Sequence, residues 1–116
     1  MNKIKQVISL LIKKLQDTPG LNTPQPTMYD FTAAAQHYRR IIYEDKDYKF
    51  LEEIFNKSDI FHGNPDINNK IRNKLNLVLS LPKIEKVFQG RMIEGYEMTR
   101  LTISELTDFK ELLIKI

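Results

Sequence analysis

Lys83-IEKVFQGRMIEGYEMTR-Leu101 is the stretch whose reading decides the fold. Read one way, Pro82 opens a short helix over Lys83 to Gln89 and Gly90 caps it in the left-handed region. Read the other way, Lys83 to Phe88 and Tyr96 to Leu101 are antiparallel strands joined by Gln89 to Gly95. Ile84, Val87 and Phe88 suit either reading, whereas Tyr96-Glu-Met-Thr-Arg-Leu101 alternates and is rich in β-formers. The strand reading gives a mainly α chain with a small β-hairpin, an α+β fold. The helical reading gives an all-α bundle.

The segment just before is less ambiguous. Asn64 is a helix cap and Pro65 stands at the first helical position, where a missing N–H costs nothing. The helix is expected to run to Ser80 or Leu81 and to stop at Pro82. At about 100° per residue, Ile67, Ile71, Leu75 and Val78 share one face, and Asn69, Arg72, Asn73 and Asn76 lie opposite, with Lys70 at the flank. Lys74 falls near the middle of the apolar side once Leu77 and Leu81 are counted, so it must snorkel or pair, with Glu52, Glu53 or Glu85 as candidate partners.

Outward from there, the apolar spacing marks three more helices and a last one. Ile4, Val7, Ile8, Leu11 and Leu15 make residues 3–17 amphipathic. Pro19 to Pro26 reads as an extended connector. A second helix spans about Met28 to Tyr43, with Thr27 as cap and Asp30 in its first turn. A third covers Tyr48 to Asn56, followed by a loop over 57–64. The last runs from Ser104 to Ile116, where Thr102 and Glu105 have capping-box spacing.

The composition sets the limits. The 116 residues fit one domain with its own core. No cysteine is present, so thiolate chemistry and disulfides are excluded. The apolar run Val7 to Ile12 is far short of a membrane span, and the chain is expected to be soluble and cytoplasmic. The net charge of +3 permits a polyanionic partner. From His62 to Arg91, Lys70, Arg72, Lys74, Lys83, Lys86 and Arg91 face only Asp66 and Glu85, a local balance of +4, so the positive excess sits there.

In element order, residues 48–116 resemble a winged helix-turn-helix. Tyr48 to Asn56 would be the positioning helix, Asn64 to Ser80 the recognition helix, and Lys83 to Phe88 with Tyr96 to Leu101 the wing. The resemblance implies a sequence-specific DNA-binding protein, a small transcriptional regulator or a replication or partition factor. Asn69, Arg72, Asn73 and Asn76 would read base edges in the major groove, since Asn pairs with adenine and Arg with guanine. Lys70, Lys83, Lys86 and Arg91 would contact phosphates of double-stranded DNA. A homodimer through residues 3–17 and 104–116 would follow, as in many such families.

The other reading is a small helical protein–protein interaction factor, such as an inhibitor, chaperone or assembly protein, without nucleic-acid binding. Its contact surface would use Tyr29, Tyr43, Tyr48 and Phe61. No enzyme is expected, because no nucleophile, base and orienting group converge. Neither cofactor nor metal is expected: His37 and His62 lack metal-ligand spacing, and Asp45, Asp47, Asp59 and Asp66 lack that of a calcium loop.

Overall fold

The computed structural model describes residues 2–85 and 94–116, apart from the side chains of 83–85 and 94. These form five helices: α1 Asn2–Gln16, α2 Met28–Glu44, α3 Lys46–Lys57, α4 Pro65–Glu85 and α5 Glu94–Lys115. No strand occurs among the described residues. The fold is therefore all-α, and the α+β expectation of a winged helix-turn-helix is overturned. Tyr96 to Leu101, read as the second wing strand, lies inside α5. Of the first, Lys83 to Glu85 is the last part of α4, and Lys86 to Phe88 lie outside the described residues.

The physical reason is visible at the start of α5. Met98, Thr99, Thr102, Leu106, Phe109 and Leu113 are buried at helical spacing. Tyr96 is buried too, although it points away from that stripe. The α1–α2 connector and the first turn of α2 cover it: the Tyr96 hydroxyl donates to the Pro19 carbonyl at 3.2 Å, and Phe31 meets its ring edge-on at 5.2 Å. Arg100 stacks over the same ring and donates to the Leu21 carbonyl at 3.3 Å. A helix covered on two sides loses its single apolar stripe, and the remaining pattern imitates alternation. The last helix thus begins at Glu94 rather than Ser104, and Thr102 is a buried mid-helix residue rather than a cap.

α5 packs against α1, α2 and α4, while α3 closes the far side against α1, α2 and α4. α2 runs parallel to α5, since Phe31 meets Tyr96 and the Tyr38 hydroxyl meets that of Thr102 at 3.0 Å. α4 runs antiparallel to it, since Lys74 reaches Glu105 and Lys70 shares a groove with Leu112. The core between them holds Val7, Ile8, Leu11, Leu15, Tyr38, Leu51, Ile71, Leu75, Val78, Leu106 and Phe109.

Apart from the Thr102 cap, local signals behave as the chain suggests, with one exception. Thr27 and Asp30 form a reciprocal capping box at the start of α2. The Asn64 side chain accepts from the backbone N–H groups of Asp66 and Ile67 at the start of α4. The exception is Pro82, which sits inside α4 instead of ending it. Among the described residues, 83–85 follow it in the helix, and the missing N–H of Pro82 removes a single backbone donor.

Buried Thr hydroxyls in helices normally bond back one turn, as Thr102 does to the Met98 carbonyl at 2.7 Å. The Thr99 hydroxyl is buried with no hydrogen-bond partner among the described residues. Thr99→Val keeps the shape and removes the stranded hydroxyl. It is expected to stabilise the fold by about 1 kcal/mol, read as a higher midpoint in thermal unfolding. A lower midpoint would mean that the hydroxyl is hydrogen-bonded in solution.

Candidate interaction surface

Of the residues expected to read DNA bases, Asn69, Asn73 and Asn76 are exposed on one side of α4, with Lys70 exposed beside them. Arg72 is not with them. Its guanidinium donates to the Ser58 carbonyl at 2.6 Å, lies over the Phe55 ring at 4.7 Å and over Phe61 at 5.9 Å, and stands 3.7 Å from Asp59. It clamps the α3–α4 loop onto α4. Asn68 acts from the next position: its carbonyl oxygen accepts from the His62 N–H at 3.1 Å and the Phe61 N–H, and its amide donates to the Asp59 carbonyl at 2.9 Å. Nothing in the spacing of Asn68 distinguishes a loop template from a solvated amide, so this role is not legible in the sequence. Lys86 and Arg91 lie outside the described residues, as does the side chain of Lys83.

The apolar stripes of α1 and α5, expected to form a dimer interface, are buried within the chain. Among the described residues, Leu10, Leu101, Ile114 and Ile116 are the large apolar side chains left exposed on or beside these helices. Lys74 pairs across to α5, 2.6 Å from Glu105 and 3.7 Å from Asp108, rather than with Glu52, Glu53 or Glu85.

The aromatic candidates separate cleanly. Tyr48 is buried and Phe61 is half-buried beneath Arg72. Tyr29 and Tyr43, by contrast, are 79% and 66% exposed. They belong to α2, whose inward face buries Ala34, Tyr38, Ile41 and Ile42. At about 100° per residue, Tyr29, Gln36, Arg40 and Tyr43 fall within an arc of about 60° opposite that face. All four are exposed. α2 contains no lysine, although the chain has thirteen, and it carries two of the five arginines and three of the five tyrosines. Tyr and Arg are enriched in protein–protein contacts and Lys is depleted. A groove of about 390 Å³ runs along the C-terminal half of this face, lined by Gln36, Arg39, Arg40, Tyr43 and Glu44.

The C-terminal end of α2 is held rigidly against α1 and α3. His37 Nε2 donates to the Lys14 carbonyl at 2.8 Å, which occupies one of the open acceptors at the end of α1. Asp45 caps α3 by accepting from the N–H groups of Asp47 and Tyr48. Lys14 Nζ lies 2.7 Å from both Asp45 and Asp47. Partial burial by itself pushes the Asp45 carboxyl upward, but the hydrogen bonds from Lys14 and the two backbone N–H groups outweigh it and hold it below the usual carboxylate range. Burial likewise opposes the charge on Lys14, and its bonds to Asp45 and Asp47 overcome this and raise it.

The depressed Asp45 contributes stability that is present above its ordinary value, near pH 4, and is lost as pH falls through the lowered one. The raised Lys14 contributes stability below its ordinary value that is lost as pH rises through the elevated one. The gap in melting temperature between wild type and Lys14→Met is therefore expected to be level between about pH 5 and pH 9 and to shrink at both extremes. A gap that stays constant down to pH 2 would contradict this.

Among the described residues, no group of His, Asp and Glu is placed to hold a metal ion, and no helix is long and apolar enough to cross a membrane. No protein-family model, curated protein or solved structure matches this chain.

Proposed function

We propose that this chain is a small helical protein–protein interaction factor whose contact face is the outer side of α2. The observation that carries this reading is the pair of outward tyrosines, Tyr29 and Tyr43, on a lysine-free stripe with Gln36 and Arg40 between them. Large, stiff, amphipathic rings left in water on a helix braced from beneath are what a binding partner can anchor on with little entropic loss. The test compares wild type with the double variant Tyr29→Ser/Tyr43→Ser, both purified by affinity tag from cells that express the protein. Wild type should retain a stoichiometric protein partner and the variant should lose it at unchanged melting temperature. Retention of every partner by the variant would defeat the reading.

A second reading, DNA binding through α4, is favoured by one observation: Asn69, Asn73, Asn76 and Lys70 are exposed along one side of that helix. It has to do without Arg72, which is committed to the α3–α4 loop. A duplex mobility shift that appears at low salt, weakens with added salt and is lost on Asn73→Ala would support it over the first.

A further inference from the structure

We infer that the occupant of the α2 face is a second copy of this chain, packed antiparallel about a two-fold axis through Gln36. This rests on the reading of α2 as the contact face. The stripe Tyr29, Thr32, Gln36, Arg40, Tyr43 has spacings of three, four, four and three residues, so reversal about Gln36 sets Tyr29 on the position of Tyr43 and Thr32 on that of Arg40. A closed two-fold interface sets one patch against its own reversed copy, so that Tyr29 faces the partner's Tyr43 and Thr32 the partner's Arg40.

The reversal brings the right chemistry together. Gln36 would meet the partner's Gln36 on the axis, where each amide both donates and accepts. Each tyrosine lies seven residues from Gln36, about 10 Å along the helix. The axis therefore carries the partner's Tyr29 onto the C-terminal half of α2, where the groove lined by Gln36, Arg40 and Tyr43 lies. At about 390 Å³ that groove has room for a phenol ring. The Arg40 guanidinium beside it supplies a cation for the ring face.

Charge favours the antiparallel arrangement over the parallel one. A parallel pair would set Arg40 against the partner's Arg40. The antiparallel pair separates the two by about 12 Å along the axis, beyond the screening length at physiological salt. The charges of α2 (Asp30, Arg39, Arg40, Glu44) sum to zero, so the net +3 of the chain does not load this face. A helix of 17 residues offers a face about 25 Å long, which belongs with the smaller interfaces.

Sedimentation velocity on the purified full chain, from about 1 to about 500 µM, should show monomer giving way to dimer. Tyr29→Ser and Tyr43→Ser should each weaken the dimer about 10-fold or more while the melting temperature of the monomer holds. The absence of cysteine allows single-cysteine crosslinking without background. Under mild oxidation Gln36→Cys should form a disulfide-linked dimer at least about 10-fold faster than Ser104→Cys, an exposed position on α5. Tyr43→Cys alone should not crosslink, because its two copies would stand about 21 Å apart, whereas a mixture of Tyr29→Cys and Tyr43→Cys should. A monomer throughout the range overturns the inference, as does self-crosslinking of Tyr43→Cys as fast as Gln36→Cys. If the chain stays monomeric while Tyr29→Ser/Tyr43→Ser still loses a different protein partner, the α2 face stands as a contact site and only the second copy is ruled out.

Discussion

Gly95→Val is expected to destabilise the protein by about 2 kcal/mol or more, a fall of roughly 10 °C in melting temperature for a chain of this size. Propensity alone argues the opposite. Gly in a helix costs about 1 kcal/mol relative to Ala, so filling the position should help. Packing decides against this. A Cβ on Gly95 would stand 2.5 Å from the Ala35 nitrogen, 2.8 Å from its Cα and 2.9 Å from the Ala34 carbonyl carbon. These are backbone atoms of α2, which cannot rotate aside as a side-chain tip can. The only relief is separation of α2 from α5. That would open the contacts of Phe31 with Tyr96 and of Tyr38 with Thr102. Gly95→Ala tests the same point with the smallest addition: thermal or urea unfolding should show it destabilised, and Gly95→Val more so. Stabilisation by Gly95→Ala would mean that the two helices do not approach this closely. Loss of stability through this pair would also move the outer face of α2, so binding measurements belong on the Tyr29 and Tyr43 variants, whose side chains are outside the core.

Helices with one solvent side were legible in the sequence, and those covered on more sides were not. α1 shows its core stripe, Ile4, Val7, Ile8, Leu11 and Leu15, at plain helical spacing, and all five are buried. The caps Thr27 and Asn64 were readable because a capping side chain acts on backbone only two or three residues away. The start of α5 failed because its environment is non-local. Tyr96 is buried by Pro19, 77 residues earlier in the chain, and nothing near Tyr96 announces that contact. The same limit applied to function. The Asn and Lys side of α4 was visible as an exposed stripe, but that Arg72 would turn away to hold Ser58 depended on where the α3–α4 loop lies. The α2 face is local and therefore legible. Tyr29, Gln36 and Tyr43 recur every seven residues on the side opposite Ala34, Tyr38, Ile41 and Ile42, and that spacing alone places them outward together.

Lys74→Ala should cost about 1–2 kcal/mol, and Lys74→Met combined with Glu105→Leu should recover most of the loss. The Lys74 and Glu105 side chains are 23% and 18% exposed and meet at 2.6 Å between α4 and α5. Lys74 sits on the helix side that also carries the buried Ile71, Leu75 and Val78, so its charge is tolerated there only because α5 brings a carboxylate to it. Removing the lysine alone leaves Glu105 half-buried without its cation. Asp108, at 3.7 Å from the ammonium and 55% exposed, can turn to water and loses little. Removing both charges and filling the space with apolar side chains eliminates the desolvation cost of the pair, which is why the double substitution should outdo the single one. The sign of the coupling is therefore the diagnostic: unfolding free energies of wild type, both singles and the double should give an interaction energy of at least about 1 kcal/mol. Simple additivity would show that the two side chains do not interact in solution and that the α4–α5 seam rests on its apolar contacts. The seam carries Leu77 and Leu112 beside Lys74, so an apolar Met and Leu would extend an existing hydrophobic contact rather than create one.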